Sequence, residues 1–464
     1  MQPRTRATSR RQVLAGAVAT LAGATAIACG TDAAPAAAPT QAPRPTVAAT
    51  AAPAPTAAPI PTTAPIPTAA PAKFSWWSRG TQEWNEMMAE VGKAYMQATP
   101  GTTLEYSFHP SDGYTDRIIT AAASDTLPDV FHLNSQDTIS FAAKGMVQDV
   151  SALLAKDTRA KKADFFPWAF LRAERDGKTY AMPLKGTANV MYLNDTLFER
   201  SGVALPKAGW TWTDYLANAR RLVRDAGTPS ATWGGWSYDW RAAVWQNGGD
   251  LVDATGKKAL VADPAAVEAI TWVADLALKE RVHPRSDEAA ELRTLPVPFA
   301  SGRIAMFAGG EPDFGNLLKI TDFKWSAAPL PLAAAGKAQA SFGASTLFAL
   351  SPKSKVQPTA WSFLTWLTTQ KEPQQIINKA GKLGVPPHKG IYEALFLGQP
   401  PREDVKKVIG EMATSNRPYL EALTTVPQVE KVLATALADV WTGKTTAREG
   451  AVRAAEQMAP FLNT

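Results

Sequence analysis

Lys73-Phe74-Ser75-Trp76-Trp77, Thr103-Leu104-Glu105-Tyr106-Ser107-Phe108 and Leu127-Pro128-Asp129-Val130-Phe131-His132-Leu133 are three short runs whose spacing decides the architecture. The first reads as a strand, the second alternates apolar and polar residues, and the third carries a buried apolar core. Between the first two, Trp84, Met88, Val91 and Tyr95 recur at helical spacing until Thr99-Pro100-Gly101 stops the helix. Tyr114 to Ala123 supplies a shorter helix before the third run. Strand and helix alternating in this way predict an α/β fold built on a mainly parallel sheet with helices on both faces. Ligands of such sheets collect at loops beyond the carboxyl ends of strands, here residues 78–82 and 134–138.

Working outward, the later half is richer in helix. Asp263 with Pro264 opens one whose inner face is read as Val267, Ile270, Ala274 and Ala277. Another runs from Thr359 through Trp361, Leu364 and Leu367, and a successor from Pro373 ends at Gly381, before Val385-Pro386-Pro387. Nearly 400 residues follow Lys73, more than one core serves comfortably, so two lobes are expected.

The residues before Lys73 form a different kind of segment. Ser9-Arg10-Arg11-Gln12-Val13-Leu14 opens a small, apolar stretch ending at Cys29, the only cysteine of the chain. A basic start, a short apolar core and small residues before the cut define an export signal over residues 1–28, and the arginine pair resembles the twin-arginine type. Ala26-Ile27-Ala28-Cys29 resembles a lipobox, which makes Cys29 the expected lipidation site. Residues 29–72 are then a tether, almost all Ala, Pro and Thr. Proline biases such a chain toward extended structure at ~3.1 Å per residue, a reach on the order of 100 Å.

Composition excludes several functions. The formal charge of +6 includes Arg4, Arg6, Arg10 and Arg11 of the export signal, which holds no acid, so about +2 remains after it and nothing points to nucleic acid. The four histidines, His109, His132, His283 and His388, show no paired ligand spacing, and Cys29 is alone, so no metal or cofactor is expected. No nucleophile elbow, Walker loop or dinucleotide fingerprint occurs. Fifteen tryptophans include the clusters Trp76-Trp77, Trp210 with Trp212, and Trp233, Trp236, Trp240 and Trp245. Flat aromatic faces stack on sugar rings, while amides and carboxylates take hydroxyls, so this clustering points mildly to carbohydrate.

Gly177-Lys178-Thr179-Tyr180-Ala181-Met182-Pro183, then Val190-Met191-Tyr192-Leu193-Asn194-Asp195-Thr196-Leu197-Phe198, Gly202, Pro206 and Trp210-Thr211-Trp212 follow one another in a recognisable order. Gly145-Met146-Val147-Gln148-Asp149, Asn247-Gly248-Gly249, Gly302-Arg303-Ile304-Ala305-Met306, Ala328-Pro329-Leu330-Pro331 and Trp441-Thr442-Gly443-Lys444 extend it over nearly all of the chain from Lys73. The pattern resembles bacterial solute-binding lipoproteins of ABC importers, in the carbohydrate-type branch like maltose-binding protein. The resemblance implies a two-lobed periplasmic-binding-protein-like fold, each lobe a mainly parallel sheet flanked by helices and discontinuous in sequence. Lobe one is expected at residues 73–183 completed by 310–350, and lobe two at 184–309 completed by 351–464. The chain would cross near residues 182–189 and return near 308–313.

The same resemblance implies a small-molecule solute, expected to be a carbohydrate, held between the lobes of a monomer that meets permease subunits outside the cytoplasm. Trp77 and Arg79 sit where the family places cleft residues, although Trp76 and Trp77 must alternate between opposite faces of a strand. Asn134 and Gln136, flanking Ser135, follow the buried strand with hydroxyl-binding side chains. Lys185 lies in the hinge segment, where Gly186 replaces a family carboxylate. Trp236, Tyr238 and Trp240 occupy the place of sugar-stacking aromatics, and Glu311 and Asp313 are the carboxylates expected at the second crossing. Gly343 fits a loop of close backbone approach. Arg79, Lys185 and Arg241 leave a phosphate or uronate open as the solute's polar group. Two other readings stand beside this one. A secreted glycan hydrolase would need two carboxylates about 5–10 Å apart, with Glu311 and Asp239 the nearest to a pair. A tethered sensor would share the cleft without a permease.

Overall fold

The computed structural model describes residues 72–463 apart from 286, 289, 379–383, 398 and 418, with backbone alone for Glu311 and Pro312. The export signal, Cys29 and the tether up to residue 71 lie outside the described residues, as does the helix end expected at Gly381.

The opening alternation folds as read. Strand β1 (Lys73–Arg79), helix α1 (Gln82–Ala98), β2 (Thr103–His109), α2 (Tyr114–Ala123) and β3 (Val130–Asn134) follow in order, and β1 pairs in parallel with both β2 and β3. Thr81 caps α1 by accepting from the Trp84 N–H. Short helices α3 (Thr138–Ala143) and α4 (Ser151–Lys156) lead to a hairpin of β4 (Glu174–Arg175) and β5 (Lys178–Thr179), and then to β6 (Met182–Gly186).

The chain crosses at residues 187–189 into a second sheet. There β7 (Val190–Asn194) is followed by α5 (Asp195–Arg200), α6 (Trp212–Leu222), α7 (Trp240–Gln246) and α8 (Pro264–Leu278). Strand β8 (Met306–Gly309), helix α9 (Glu311–Leu317) and β9 (Trp325–Ala328) come next, and β7 lies between β8 and β9, antiparallel to both. Only then does the chain return, as β10 (Ser345–Leu350), which wedges antiparallel between β3 and β6 of the first sheet in the order β2-β1-β3-β10-β6.

One expectation is corrected here. The return crossing is residues 329–344 rather than 308–313, because β7 takes a partner on each edge before the chain leaves. Lobe one's sheet is mainly parallel, since β2, β1, β3 and β6 run one way and β10 alone of its five strands runs against them. A strand that re-enters from the other lobe, as β10 does, runs opposite to strands set by βα crossovers, and in lobe two β7 runs against both β8 and β9. Parallel bridges from Trp233 to Ile304 and from Trp236 to Phe307 continue lobe two's sheet beyond β8.

The C-terminal helices divide between the lobes. α10 (Gln357–Thr369) packs on β6 and β10, and α11 (Lys371–Asn378) on α1, so both belong with lobe one, followed by α12 (Lys389–Leu395). α13 (Glu403–Ala413) packs on β9 and β7, while α14 (Val426–Trp441) and α15 (Ala447–Met458) pack on each other and on α8. Lobe one's core centres on Phe363, whose ring lies 4.9 Å from Trp76, 4.9 Å from Tyr95 and 5.4 Å from Phe74. Lobe two's core centres on Tyr192, ringed by Phe299, Phe307 and Trp325. Among the described residues, no helix is long and apolar enough to cross a membrane.

Candidate functional site

The carboxyl edge of lobe one's sheet gathers four of the predicted residues. Arg79 ends β1 and donates to the Asn134 Oδ1 at the end of β3. Asn134 Nδ2 in turn donates to Thr115 Oγ1 and Asp137 Oδ2, both at 2.9 Å. Thr346 of β10 pairs with Asn134 on one side and Lys185 on the other, so these three stand in a row across the sheet. The Lys185 ammonium lies 4.8 Å over the Trp84 ring, and Gln136 stands half-buried in the turn before α3. Burial holds the Arg79 pKa below its ordinary value, with Tyr114 and Asp137 opposing that shift. Beneath the row, burial keeps His132 neutral, and the positive charges of Arg79 and Lys185 act in the same direction. The edge therefore offers cationic and amide donors beside an aromatic ring. Trp77 is placed elsewhere: it lies half-buried on the face opposite Trp76, edge-on to His109 at 4.8 Å and flanking Asp116, Arg117 and Thr120 of α2.

The crossings meet next to this edge. Thr187 N–H donates to the Ala344 carbonyl, and Ala344 N–H donates to Thr187 Oγ1. Asn189 N–H donates to Ser341 Oγ, while Asn416 Nδ2 donates to the Thr187 carbonyl at 2.8 Å. Gly343 sits among them, and a Cβ there would stand 2.2 Å from the Asn416 side chain and 2.3 Å from the Thr187 carbonyl oxygen. The close approach seen at Gly343 is thus between the crossing segments, whereas the sequence put it forward as a place where backbone nears the solute.

An unpredicted cluster spans the lobes at this point. Arg172 of lobe one donates from Nη1 to Ser135 Oγ at 3.2 Å, and its Nε lies 3.8 Å from Glu421 Oε1 of lobe two. Its guanidinium carbon stands 5.6 Å from the Phe342 ring and 5.3 Å from that of Tyr419. The guanidinium of Arg241 also approaches the Phe342 ring, to 4.0 Å. Arg241 is clasped by Asp239, Nε to Oδ1 at 3.2 Å and Nη2 to Oδ2 at 2.7 Å, and the same carboxylate caps α7. Burial raises the Glu421 pKa to about 7, outweighing the lowering by Arg172. At 3.8 Å that pair is too far apart for a hydrogen bond, so desolvation wins over attraction. The signal in the sequence is a lone charge inside the apolar run Trp168-Ala169-Phe170-Leu171-Arg172-Ala173, away from the aromatic clusters that point to carbohydrate. A groove of about 620 Å³ opens alongside, lined by Glu174 and Asp176 of lobe one and Asp250, Asp253, Arg417 and Glu421 of lobe two.

The predicted residues of lobe two are not brought to one surface. Trp236 is buried, and the Arg293 guanidinium covers its ring at 4.9 Å. Tyr238 is buried against Tyr215 and Trp272, its hydroxyl donating to Gln246 Oε1 at 2.8 Å. Trp240 remains half-buried, 6.4 Å from Trp441. Asp313 accepts from the Gly310 N–H at 3.0 Å at the start of α9, and burial raises its pKa against that bond. The side chain of Glu311 lies outside the described residues. Among the described residues, no cluster of His, Cys, Asp and Glu suits a metal ion.

Two α/β lobes joined by crossing segments, with polar and aromatic side chains gathered beside the crossings, define a hinged binding protein. The family model described as "Bacterial extracellular solute-binding protein" matches residues 78–372. The chain belongs to that family. A binding protein of Brucella abortus strain 2308 is 24% identical over 288 residues, 60% of this chain and 67% of the relative. The sn-glycerol-3-phosphate-binding periplasmic protein of Escherichia coli O1:K1 is 22% identical over 412 residues, 81% of this chain and 90% of its own length. In fold, the chain is similar to an ABC substrate-binding protein of Listeria monocytogenes solved in complex with cycloalternan. That structure superposes with a TM-score of 0.72 at 21% identity, over 84% of this chain and 98% of the other.

Proposed function

We propose that this chain is the extracytoplasmic binding component of an ABC importer, which captures a sugar or oligosaccharide between its lobes and delivers it to a membrane permease. The observation that carries the reading is the row at lobe one's sheet edge, Arg79–Asn134, Thr346 and Lys185 over Trp84, set beside the crossings. Hydroxyls of a sugar need such donors and acceptors, and its ring needs an aromatic face. Gln136 and Trp240 are the further residues we place in the site. Closure about the crossings follows from a solute that contacts both lobes, since it then favours the state in which both contacts are made. The cycloalternan complex of the Listeria protein and the glycerol phosphate of the E. coli name support a polyhydroxylated solute. Cys29 is the site we propose for a lipid anchor, with residues 29–72 as the tether that lets a monomer reach its permease.

The hydrolase reading is not favoured. Asp239, which with Glu311 came nearest to a catalytic pair in the sequence, is held by Arg241 and by the α7 N-terminus, which leaves it poorly placed to exchange a proton. The test is a thermal-shift screen of the purified chain against neutral sugars, uronates, sugar phosphates and polyols, with chemical analysis of each ligand afterwards. A solute that raises the melting temperature and is recovered intact is the expected result. A glycan recovered cleaved, or no glycan or polyol binding at all, overturns the proposal.

A further inference from the structure

Beyond Arg417, where the acid-lined groove ends, lies a small cavity of different character. Trp168, Leu171, Arg172, Gly343, Ala344, Ser345, Asn416 and Arg417 form its walls. Two guanidiniums, an amide and a hydroxyl line it, with no carboxylate. Its volume is only about 10 Å³, with Arg172 and Ser345 supplied by lobe one and Asn416 and Arg417 by lobe two, so a bound acidic group requires these two walls to stand further apart than here.

Its polar groups are incompletely used. Arg172 is buried, its side chain 6% exposed, and among the described residues its five N–H donors make one hydrogen bond, to Ser135. Among the described residues, Arg172 Nη2 and Asn416 Oδ1 have no hydrogen-bond partner. A buried cation with donors left over is unfavourable, and Glu421 at 3.8 Å does not supply the missing acceptor. A planar guanidinium fork matches a carboxylate or a phosphate, whereas Asn416 Oδ1 calls for a hydroxyl donor.

We infer that this cavity is the seat for an acidic group of the solute, which is a sugar acid or sugar phosphate rather than a neutral sugar. The oxyanion accepts from Arg172 Nη2 and Arg417, a neighbouring hydroxyl donates to Asn416 Oδ1, and the remaining hydroxyls face the carboxylates of the adjoining groove. The inference rests on the reading that the space between the lobes holds a polyhydroxylated solute, and it adds the charge.

Titration calorimetry of the full chain tests it with matched probes: glucose and galactose, glucuronate and galacturonate, glucose 6-phosphate and sn-glycerol 3-phosphate, and inorganic phosphate. At least one acidic probe is expected to bind about tenfold or more tightly than its neutral counterpart, and the uronate and phosphate arms decide which oxyanion is preferred. Arg172→Gln should remove that ratio, and Arg172→Lys, which keeps charge without the fork, should leave part of it. The ratio within each variant separates recognition from any loss of folding. Neutral and acidic probes binding equally, or a preference that survives Arg172→Gln, overturns the inference while leaving the solute-binding reading intact. Inorganic phosphate binding as tightly as the sugar phosphates marks an adventitious ion only and overturns it too. Failure of every probe, with the neutral-sugar screen also blank, overturns both.

Discussion

Glu421 and Arg172 face each other from different lobes at 3.8 Å, and burial raises the Glu421 pKa from 4.5 to about 7. The folded protein therefore keeps a proton that the unfolded chain has already released between those values. Stability from this group is full below about pH 4.5, falls as pH rises toward 7 and is level above it. At 1.4 kcal/mol per pH unit the whole effect amounts to about 3 kcal/mol at most. Urea unfolding at pH 5 and pH 8 should show the loss in the parent chain and a flatter profile in Glu421→Gln; equal slopes would refute the assignment. Two tryptophans can be separated on the same scale. Trp236 is buried with Arg293 over its ring, so Trp236→Ala should lower stability by about 3–5 kcal/mol. Trp240, half-buried, should instead weaken solute binding by ~1 kcal/mol when changed to Ala, with a smaller loss of stability. Calorimetry and urea melts on both variants check this, and similar changes in affinity would show that neither ring stacks on solute. The sequence put both rings forward as stacking candidates, but spacing could not say which was roofed over, because Arg293 reaches Trp236 from 57 positions away.

At the scale of elements, α10 shows what periodicity reveals and what it omits. Trp361, Leu364 and Leu367 announce one apolar face, yet every residue from Thr359 to Thr369 is buried. The helix is enclosed by β6, β10 and α11, and two of its threonines satisfy their hydroxyls on its own carbonyls, Thr368 to Leu364 at 2.9 Å and Thr369 to Thr365 at 2.7 Å, while Thr365 donates to Asp157 Oδ2 at 3.1 Å. A polar-looking face can thus be buried when backbone acceptors lie within reach, and the sequence pattern gives no warning of it. In α8 the helix is found where Asp263-Pro264 placed it, but the buried residues are Ala266, Ala269, Ile270, Ala274 and Leu276, one step out of phase with the expected face at Val267 and Ala277. Phe363 joins α10 to β1 and α1 at ring distances near 5 Å. Phe363→Ala should lower the unfolding free energy by about 3–5 kcal/mol, read from urea melts of lobe one's tryptophan fluorescence. A loss under 1 kcal/mol would mean that the cluster closes around the gap and does not hold the sheet to its helices.

At the scale of the molecule, alternation of strand and helix revealed that there are α/β lobes but not which lobe a strand joins. Trp325–Ala328 and Ser345–Leu350 are both short strands of the later half, yet one pairs with β7 and the other with β3. The difference lies in tertiary pairing across more than 130 residues, where local pattern carries no information. What decides it is the set of crossings, and these converge on Gly343. A methyl group there would meet the Asn416 side chain at 2.2 Å and the Thr187 carbonyl at 2.3 Å, and the second of these is backbone that cannot swing aside. Gly343→Ala should push the 187–189 segment from the 341–344 segment, weaken the Asn416–Thr187 bond and cost about 1–3 kcal/mol. Each lobe keeps its own core, so the far-ultraviolet spectrum should be unchanged. The compaction that a bound solute produces, followed as radius of gyration by X-ray scattering, should differ from that of the parent, and affinity should shift with it, because the hinge sets the balance of open and closed states. If melting temperature, affinity and compaction all match the parent, residues 341–344 are a plain connector, and the bending has to occur at residues 187–189 alone.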